Sequence, residues 1–339
     1  LWPNCDSLVA PEAAAQGRRL TPVALSYSRE TAFRWPAGAS IENAPDSGTP
    51  ARVKLDTLET LWINTGSLCN LSCAACFMES TPRNDSLAYM SAHEVGGLLD
   101  EIAVGKMGTR TIGFTGGEPF LNRDLPAMLQ DALGRGYEAL VLTNAMKPMR
   151  RHAPALLALR ARYGARLALR VSIDHYTPEL HELERGPGSF APTLDGLAWL
   201  ARENFVVTVA GRLYSGEPEG IVRAGYARLF ADQGLAIDAF DPERLLLFPE
   251  MDASAAPLRV TEQALASLAK PKEELMCARS RMAVKRKGAA APALVACTLL
   301  PYDPAFELGE TLAAARRPVE LTHRHCATFC VFGGADCAG

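Results

Sequence analysis

From Leu58 onward the apolar residues repeat one pattern: a short unbroken run, then a stripe at helical spacing. Leu61 to Thr65 reads as a first strand. Ser91 then opens a helix with a Ser-x-x-Glu capping box (Ser91, Glu94) and a stripe of Val95, Leu98, Leu99 and Ile102. Thr111 to Phe114 is a second strand, and Asn122 is expected to cap a second helix whose stripe of Leu125, Met128, Leu129, Ala132 and Leu133 stops at Gly134 and Gly136. The alternation continues with strand 139–143 and helix 154–162, strand 166–173 and helix 193–202, strand 205–210 and helix 222–231, then strand 244–248. Short apolar strands separated by helices predict an α/β fold with a parallel sheet covered by helices. Six units occupy about 190 residues, where a closed eight-unit barrel needs ~250. A partial, open (β/α)6 barrel of TIM-like type is the economical prediction.

The flanks break this rhythm. Residues 1–57 are irregular, with a turn-rich stretch around Asn43, Pro45, Asp46, Gly48 and Pro50, and read as an N-terminal extension packed on the outside or partly mobile. They do not read as a peptide-binding winged helix. After Asp252 a helix at 261–269, a hairpin about the basic run Lys285-Arg286-Lys287-Gly288 and a short helix at 309–316 predict a small C-terminal α+β unit. The basic run reads as a solvated turn. The expected division is therefore 1–57, 58–252 and 253–339.

The formal net charge of −3 supplies no broad field for a polyanion, so neither nucleic acid nor an anionic membrane is an expected partner. No apolar run approaches the ~20 residues of a membrane span, and no charged-then-apolar leader is visible, which favours a cytoplasmic location.

The cysteines change the picture most. Cys69, Cys73 and Cys76 are spaced C-x3-C-x2-C just after the first strand. Thiolates are soft ligands, and three within eight residues meet at one inorganic centre only if a loop wraps it. An iron–sulfur cube has four corners, so three protein ligands leave one iron open, the mark of a catalytic rather than a structural metal. Zinc sites prefer paired C-x2-C knuckles, yet here no cysteine follows until Cys277 and His93 stands alone. An odd number of thiols also fits disulfides poorly. A second group, Cys277, Cys297, Cys326 and Cys330, lies near the other end with Cys337 as a fifth candidate, while Cys5 is isolated.

The motif resembles the cluster motif of the radical S-adenosylmethionine (SAM) superfamily, whose open iron holds the amino and carboxylate groups of SAM. Gly116-Gly117-Glu118-Pro119, forty residues further on at the next strand end, resembles that family's Gly-Gly-Glu-Pro motif. Its glycines admit close approach of backbone to ligand, and Glu118 is expected to brace the loop. Ser172 and Asp174 resemble the family's Ser-x-Asp pattern, placed for the SAM ribose or carboxylate. Asn144 and Arg212, at neighbouring strand ends, are candidates for the carboxylate or methionine portion. Family members usually carry an aromatic residue before the third cysteine; here that residue is Ala75, and Phe77 is the substitute candidate against adenine. The partial barrel is also the fold the resemblance implies.

The second cysteine group resembles the twitch domain, the shortened form of the SPASM extension, which holds one auxiliary [4Fe-4S] cluster. Cys277, Cys297, Cys326 and Cys330 would complete a cube, with Cys337 able to replace one of them, and a structural zinc is the competing occupant. His323 and His325 are read as polar surface residues rather than ligands. The resemblance implies an enzyme that reductively cleaves SAM to a 5'-deoxyadenosyl radical, which abstracts hydrogen from a small-molecule substrate, with net oxidation through the auxiliary cluster. An electron donor such as flavodoxin or ferredoxin would reduce the SAM-site [4Fe-4S] cluster. Epimerisation, bond formation, a peptide (RiPP) maturase and a non-catalytic electron carrier are the alternatives. His175, Tyr176, Glu250 and Asp252, just past strand ends, are the candidates for substrate contact.

Overall fold

The computed structural model describes residues 48–249, 259–268 and 270–333. In chain order these form β1 (Arg52–Val53), β2 (Thr60–Asn64), α1 (Ala92–Gly105), β3 (Thr111–Thr115), α2 (Leu125–Gly134), β4 (Glu138–Thr143), α3 (Lys147–Arg150), α4 (Ala153–Tyr163), β5 (Leu167–Ser172), α5 (Pro178–Arg185), α6 (Phe190–Arg202), β6 (Val206–Leu213), α7 (Glu219–Asp232) and β7 (Leu245–Pro249). Then follow α8 (Glu262–Ser267), α9 (Met276–Arg279), β8 (Ser280–Val284), β9 (Ala293–Val295), β10 (Glu307–Gly309), β11 (Val319–Glu320) and a π-helical segment, Cys326–Phe332.

Strands β2 to β7 lie side by side in sequence order, and every neighbouring pair is parallel. That is the topology expected when each strand returns through a helix laid on the sheet. Strand β8 extends the sheet parallel to β2, and β9 and β10 follow antiparallel, giving the order β10-β9-β8-β2-β3-β4-β5-β6-β7. The strands of the C-terminal segment therefore share one sheet with the parallel set. All five residues of β2 are buried, which explains why Leu61 to Ile63 read as a continuous apolar run rather than an alternation, and all five of β8 are buried as well although that strand carries Ser280 and Arg281.

Helix starts follow local chemistry. Ser91 and Glu94 form the predicted reciprocal cap of α1, with Ser91 Oγ accepting from Glu94 N and the Glu94 carboxylate accepting from Ser91 N. Asn122 does not cap α2. Pro126 sets the start of that helix at Leu125, after Asp124, and the Asn122 side chain instead donates to the carbonyls of Thr65 and Met90 and accepts from Asp124 N. Two helices escape the periodicity, α3 and α5, both under nine residues and so too short to show a stripe. No full helix forms at 309–316. Gly309 ends β10 with φ +108°, leaving only one 3-10 turn at Ala314–Arg316.

The stretch 48–57 is tied down. β1 pairs with β11, and Ala51 exchanges backbone hydrogen bonds with Val260 and Leu321. Asn43, Pro45 and Asp46 lie outside the described residues. The basic turn is committed to ion pairs, Lys285 with Glu94, Arg286 with Glu307 and Lys287 with Asp85.

The part of the fold that positions the site is the junction between the end of β2 and the Gly-Gly-Glu-Pro turn after β3. Gly117 N donates to Gly66 O at 2.8 Å and Glu118 N to Leu68 O at 3.0 Å. A Cβ on Gly116, whose φ is +136°, would lie 2.5 Å from Gly66 O, and one on Gly117 would lie 2.1 Å from Leu68 O. The two glycines are thus demanded by the approach to the cysteine loop, a cause the sequence did not reveal. Glu118 is 2 % exposed and accepts from Thr143 Oγ1 (2.8 Å), Asn144 N (2.9 Å) and Phe120 N (3.3 Å), fastening the ends of β3 and β4 together. Burial raises its carboxyl to about 7 even though all three donors act the other way.

Two predictions follow from this packing. Gly113 pairs with Trp62 across β2 and β3, and an added Cβ would meet the indole at 2.3 Å. Gly113→Ala should therefore lose about 1–3 kcal/mol in urea unfolding by overpacking, and an unchanged midpoint would show that Trp62 repacks freely. Because the Glu118 carboxyl titrates higher in the fold (about 7) than when unfolded (4.5), its contribution is complete below pH ~4.5 and is lost as pH rises to ~7, on the order of 3 kcal/mol. Glu118→Gln should flatten that part of the stability-versus-pH curve of the metal-free protein, and a parallel wild-type slope would refute the assignment.

Candidate functional site

At the carboxyl ends of the parallel strands lies a cleft enclosing roughly 1130 Å³ of atom-free space, part of it open to solvent. Its walls bring together residues from distant places in the chain. Cys69, Cys73 and Cys76 line it with Ala75 and Phe77; Gly116, Gly117 and Glu118 come from the turn after β3; Asn144 follows β4; Ser172 and Asp174 end β5; and Arg212 comes from within β6. Every candidate SAM-binding residue is there except Pro119, which is buried at the start of a 3-10 turn outside the lining.

The cysteine loop is held from both sides. Ala74 N donates to Glu184 O at 2.7 Å, and Asn144 Nδ2 donates to Asn70 Oδ1 at 3.0 Å. Backbone N–H groups of Leu71 and Ser80 point at the sulfurs of Cys69 and Cys76, each at 3.4 Å. The three thiols carry no disulfide. Burial pushes Cys69 up to about 12 and raises Cys73, with Arg185 opposing the rise at Cys73. Three free thiols on one loop, with N–H donors for the sulfurs of Cys69 and Cys76, are a donor set fitted to an iron–sulfur cluster.

Helix α5 contributes what the sequence did not disclose. Its last residues, Glu184 and Arg185, line the cleft: Glu184 accepts from Arg212 Nη1 at 2.6 Å, and Arg185 forms a two-pronged pair with Asp174 (2.9 and 3.1 Å). Burial works against the Arg185 charge, but Asp174 and the thiols of Cys73 and Cys69 outweigh it and raise its pKa. Asp174 is therefore already engaged by a side chain, and Arg185 is a cation that acts on Cys73 and Cys69. The available signal was Pro178 at the first helical position and Gly186 just past the last one, which bracket a helix without a stripe. Phe248, Thr298, Leu299 and Phe329 also line the cleft, and no motif marks them.

His175 and Tyr176 are not in the cleft lining. His175 is 1 % exposed, and both residues close on Glu217, His175 Nε2 at 3.0 Å and the Tyr176 hydroxyl donating at 2.6 Å. Their rings stack 4.2 Å apart. Glu250 and Asp252 lie outside the described residues.

A second cavity, about 420 Å³ and largely apolar, is lined by Cys277 at α9, Cys297, Cys326 and Cys330, together with His325. Cys297 lies beyond the return strand rather than on it, because β9 ends at Val295. Burial raises Cys277 to about 11 and Cys326 to about 12. His325 is drawn into the cavity wall, and burial lowers it to about 4. His323 is absent from that wall, with Nδ1 accepting from His325 N at 3.1 Å. Cys337 and Cys5 lie outside the described residues. Among the described residues, no three Cys, His, Asp or Glu side chains are arranged to hold a single metal ion. Leu299 lines both cavities, and Phe77 on the cleft side meets His325 edge-on at 5.9 Å. The two thiol-lined spaces share a wall.

The sequence model of the Radical SAM superfamily matches residues 63–220. Over 86 residues the chain is 35% identical to a probable GTP 3',8-cyclase of Metallosphaera sedula, covering 25% of this chain and 26% of that protein. Over 143 residues it is 31% identical to the antilisterial bacteriocin subtilosin biosynthesis protein AlbA of Bacillus subtilis, covering 42% of this chain and 30% of that protein. The chain thus spans under a third of the length of these two relatives. Among solved structures, Streptococcus suis SuiB bound to S-adenosylmethionine superposes with TM-score 0.54 at 10% identity, over 75% of this chain and 63% of that one. Native anSMEcpe with bound AdoMet does so with TM-score 0.54 at 15% identity, over 76% and 79%. Among the described residues no helix is long and apolar enough to cross a membrane. The matched span contains the three clustered cysteines, the Gly-Gly-Glu-Pro turn, Ser172, Asp174 and Arg212, and the chain accordingly carries a radical SAM superfamily domain.

Proposed function

We propose that this protein is a radical SAM oxidoreductase acting in the cytoplasm on a small-molecule substrate, with an auxiliary [4Fe-4S] cluster that accepts an electron from the substrate radical. The observation that carries this reading is the shared wall: Leu299 lines both thiol cavities, so a substrate seated in the cleft is one side chain from the second site. Cys69, Cys73 and Cys76 would hold the first cluster, which would supply the electron for reductive cleavage of SAM to a 5'-deoxyadenosyl radical.

The chain's own groups supply orientation and exclusion of water. Ser172 and Arg185, the latter also paired with Asp174, would meet the hydroxyl and carboxylate groups of SAM, with the Asn144 side chain beside them after β4. Phe77 offers the apolar face that Ala75 lacks. Glu118, occupied by three donors, acts as a brace. We assign residues 58–252 as the partial (β/α)6 barrel and 253–339 as a twitch-like segment holding the auxiliary cluster, with 1–57 as an extension. Cys277, Cys297, Cys326 and Cys330 line one cavity, and four thiolates would complete an iron–sulfur cube there. A flavodoxin- or ferredoxin-like donor would reduce the first cluster.

A second reading concerns the substrate. The likeness to AlbA, a bacteriocin biosynthesis protein, extends over 143 residues and favours a peptide substrate entering the same cleft. Transfer of deuterium into 5'-deoxyadenosine from labelled metabolites would support the small-molecule reading, and transfer only from a labelled peptide would replace it.

Two outcomes test the chemistry. Anaerobically reconstituted protein given SAM and dithionite should release 5'-deoxyadenosine, and Cys73→Ala should lower that release at least a hundredfold; no product from the fully loaded wild type would leave an electron carrier. Wild type should hold about eight irons per chain, and the double variant Cys277→Ala, Cys326→Ala about four with SAM cleavage retained. Four irons plus one zinc in the wild type would replace the auxiliary cluster with a structural metal.

A further inference from the structure

Arg281 sits in the middle of the sheet, on β8 opposite Leu61 of β2, and is 0 % exposed. A guanidinium in such a place ordinarily has a carboxylate, because an uncompensated buried charge costs several kcal/mol. Arg185, the other deeply buried arginine discussed above, has Asp174. Among the described residues Arg281 has carbonyls only: Nη1 donates to Cys277 O at 2.6 Å and Ser280 O at 2.7 Å, Nε to Ala315 O at 2.8 Å, and Nη2 to Arg317 O at 3.5 Å. Among the described residues, the ionisable groups that act on it are the cysteines Cys277 and Cys297, not a carboxylate. Burial pulls its pKa down to about 10, and the two thiols pull it back up.

The side chain is not in the lining of the second cavity, so it does not compete for a ligand position. It stands behind Cys277, gripping that residue's own carbonyl and tying it to the segment around Ala315 and Arg317 just before β11. Four thiolates around an iron–sulfur cube carry net negative charge, and reduction adds one more. A fixed cation beside that charge, in a low-dielectric surround, stabilises the reduced state more than the oxidised one.

We propose that Arg281 is the buried counter-charge of the four-cysteine cavity, a positioning residue that fixes Cys277 and raises the reduction potential of the cluster held there. This rests on the auxiliary-cluster reading, which it deepens. The step concerned is one electron entering the oxidised cluster, from the substrate radical in turnover or from dithionite in titration, with no bond made or broken. A higher potential makes the second cluster a better acceptor than the first, as a net oxidation requires.

The test is a dithionite titration of the reconstituted full chain followed by electron paramagnetic resonance, with the SAM-site cluster as internal reference. Arg281→Gln keeps hydrogen-bond donors but removes the charge. It should lower the second cluster's reduction equilibrium constant about tenfold, ~59 mV toward negative, leaving the first unmoved. Arg281→Lys keeps the charge and should titrate like wild type. A Gln variant that fails to load the second cluster while the Lys variant loads it supports the same conclusion. A Gln midpoint equal to wild type, or Lys and Gln midpoints displaced alike, overturns the proposal while leaving the auxiliary cluster in place. A wild type with about four irons and no second signal removes the cluster reading itself, and the role of Arg281 with it.

Discussion

The site depends on one close backbone contact, between the turn Gly116–Gly117 and the chain leading from Gly66 to Leu68. Two adjacent parallel strands end side by side, and the segments leaving them run so near each other that neither glycine can carry a Cβ. The cysteine loop begins at the far side of that contact, so backbone hydrogen bonds fix its starting point. Glu118 extends the same junction to β4, and Asn144 carries it on to Asn70 within the loop. The result is a closed circuit of polar contacts around the cleft, in which each strand end is held by the next.

The other side of the loop is held by α5. Glu184 and Arg185 divide their roles: the first supports the loop backbone through its carbonyl and restrains Arg212 through its carboxylate, while the second neutralises Asp174. This pairing alters the electrostatic character of the cleft. Two carboxylates and two arginines would suggest a site of mixed sign, but once Asp174 and Glu184 are matched, the thiols and the remaining donors dominate. Such an environment is suited to a cationic cluster core and a ligand with a carboxylate.

The C-terminal segment is joined to this arrangement through the sheet. β8 runs parallel to β2, so Arg281, opposite Leu61, is placed by the ladder of the strand that leads into the cysteine loop, and Cys277 lies in α9 just before β8. Phe329, between Cys326 and Cys330, reaches the cleft and packs against Phe248 at the edge of the parallel set. Two groups of cysteines some two hundred residues apart in sequence are thereby held across a single wall. A shared sheet transmits position more rigidly than a linker.

By itself the sequence determined the alternation of strands and helices, the C-x3-C-x2-C loop after the first strand, and the strand-end residues that face the cleft. All of these are local in sequence, because a strand that is apolar on both faces, a capping box and a tight ligand spacing each express themselves within about a dozen residues. Asn122 was misread because its side chain satisfies carbonyls of two distant segments, Thr65 and Met90, rather than its own helix. Short α5 was missed because eight residues do not establish a stripe, and with it went Glu184 and Arg185. His175 and Tyr176 looked like cleft residues until the position of Glu217, forty residues on, turned them aside. Tertiary structure alone decided those pairings, the continuity of β8 with the parallel strands and the wall between the two thiol cavities, since each is a meeting of groups whose separation along the chain carries no periodic signal.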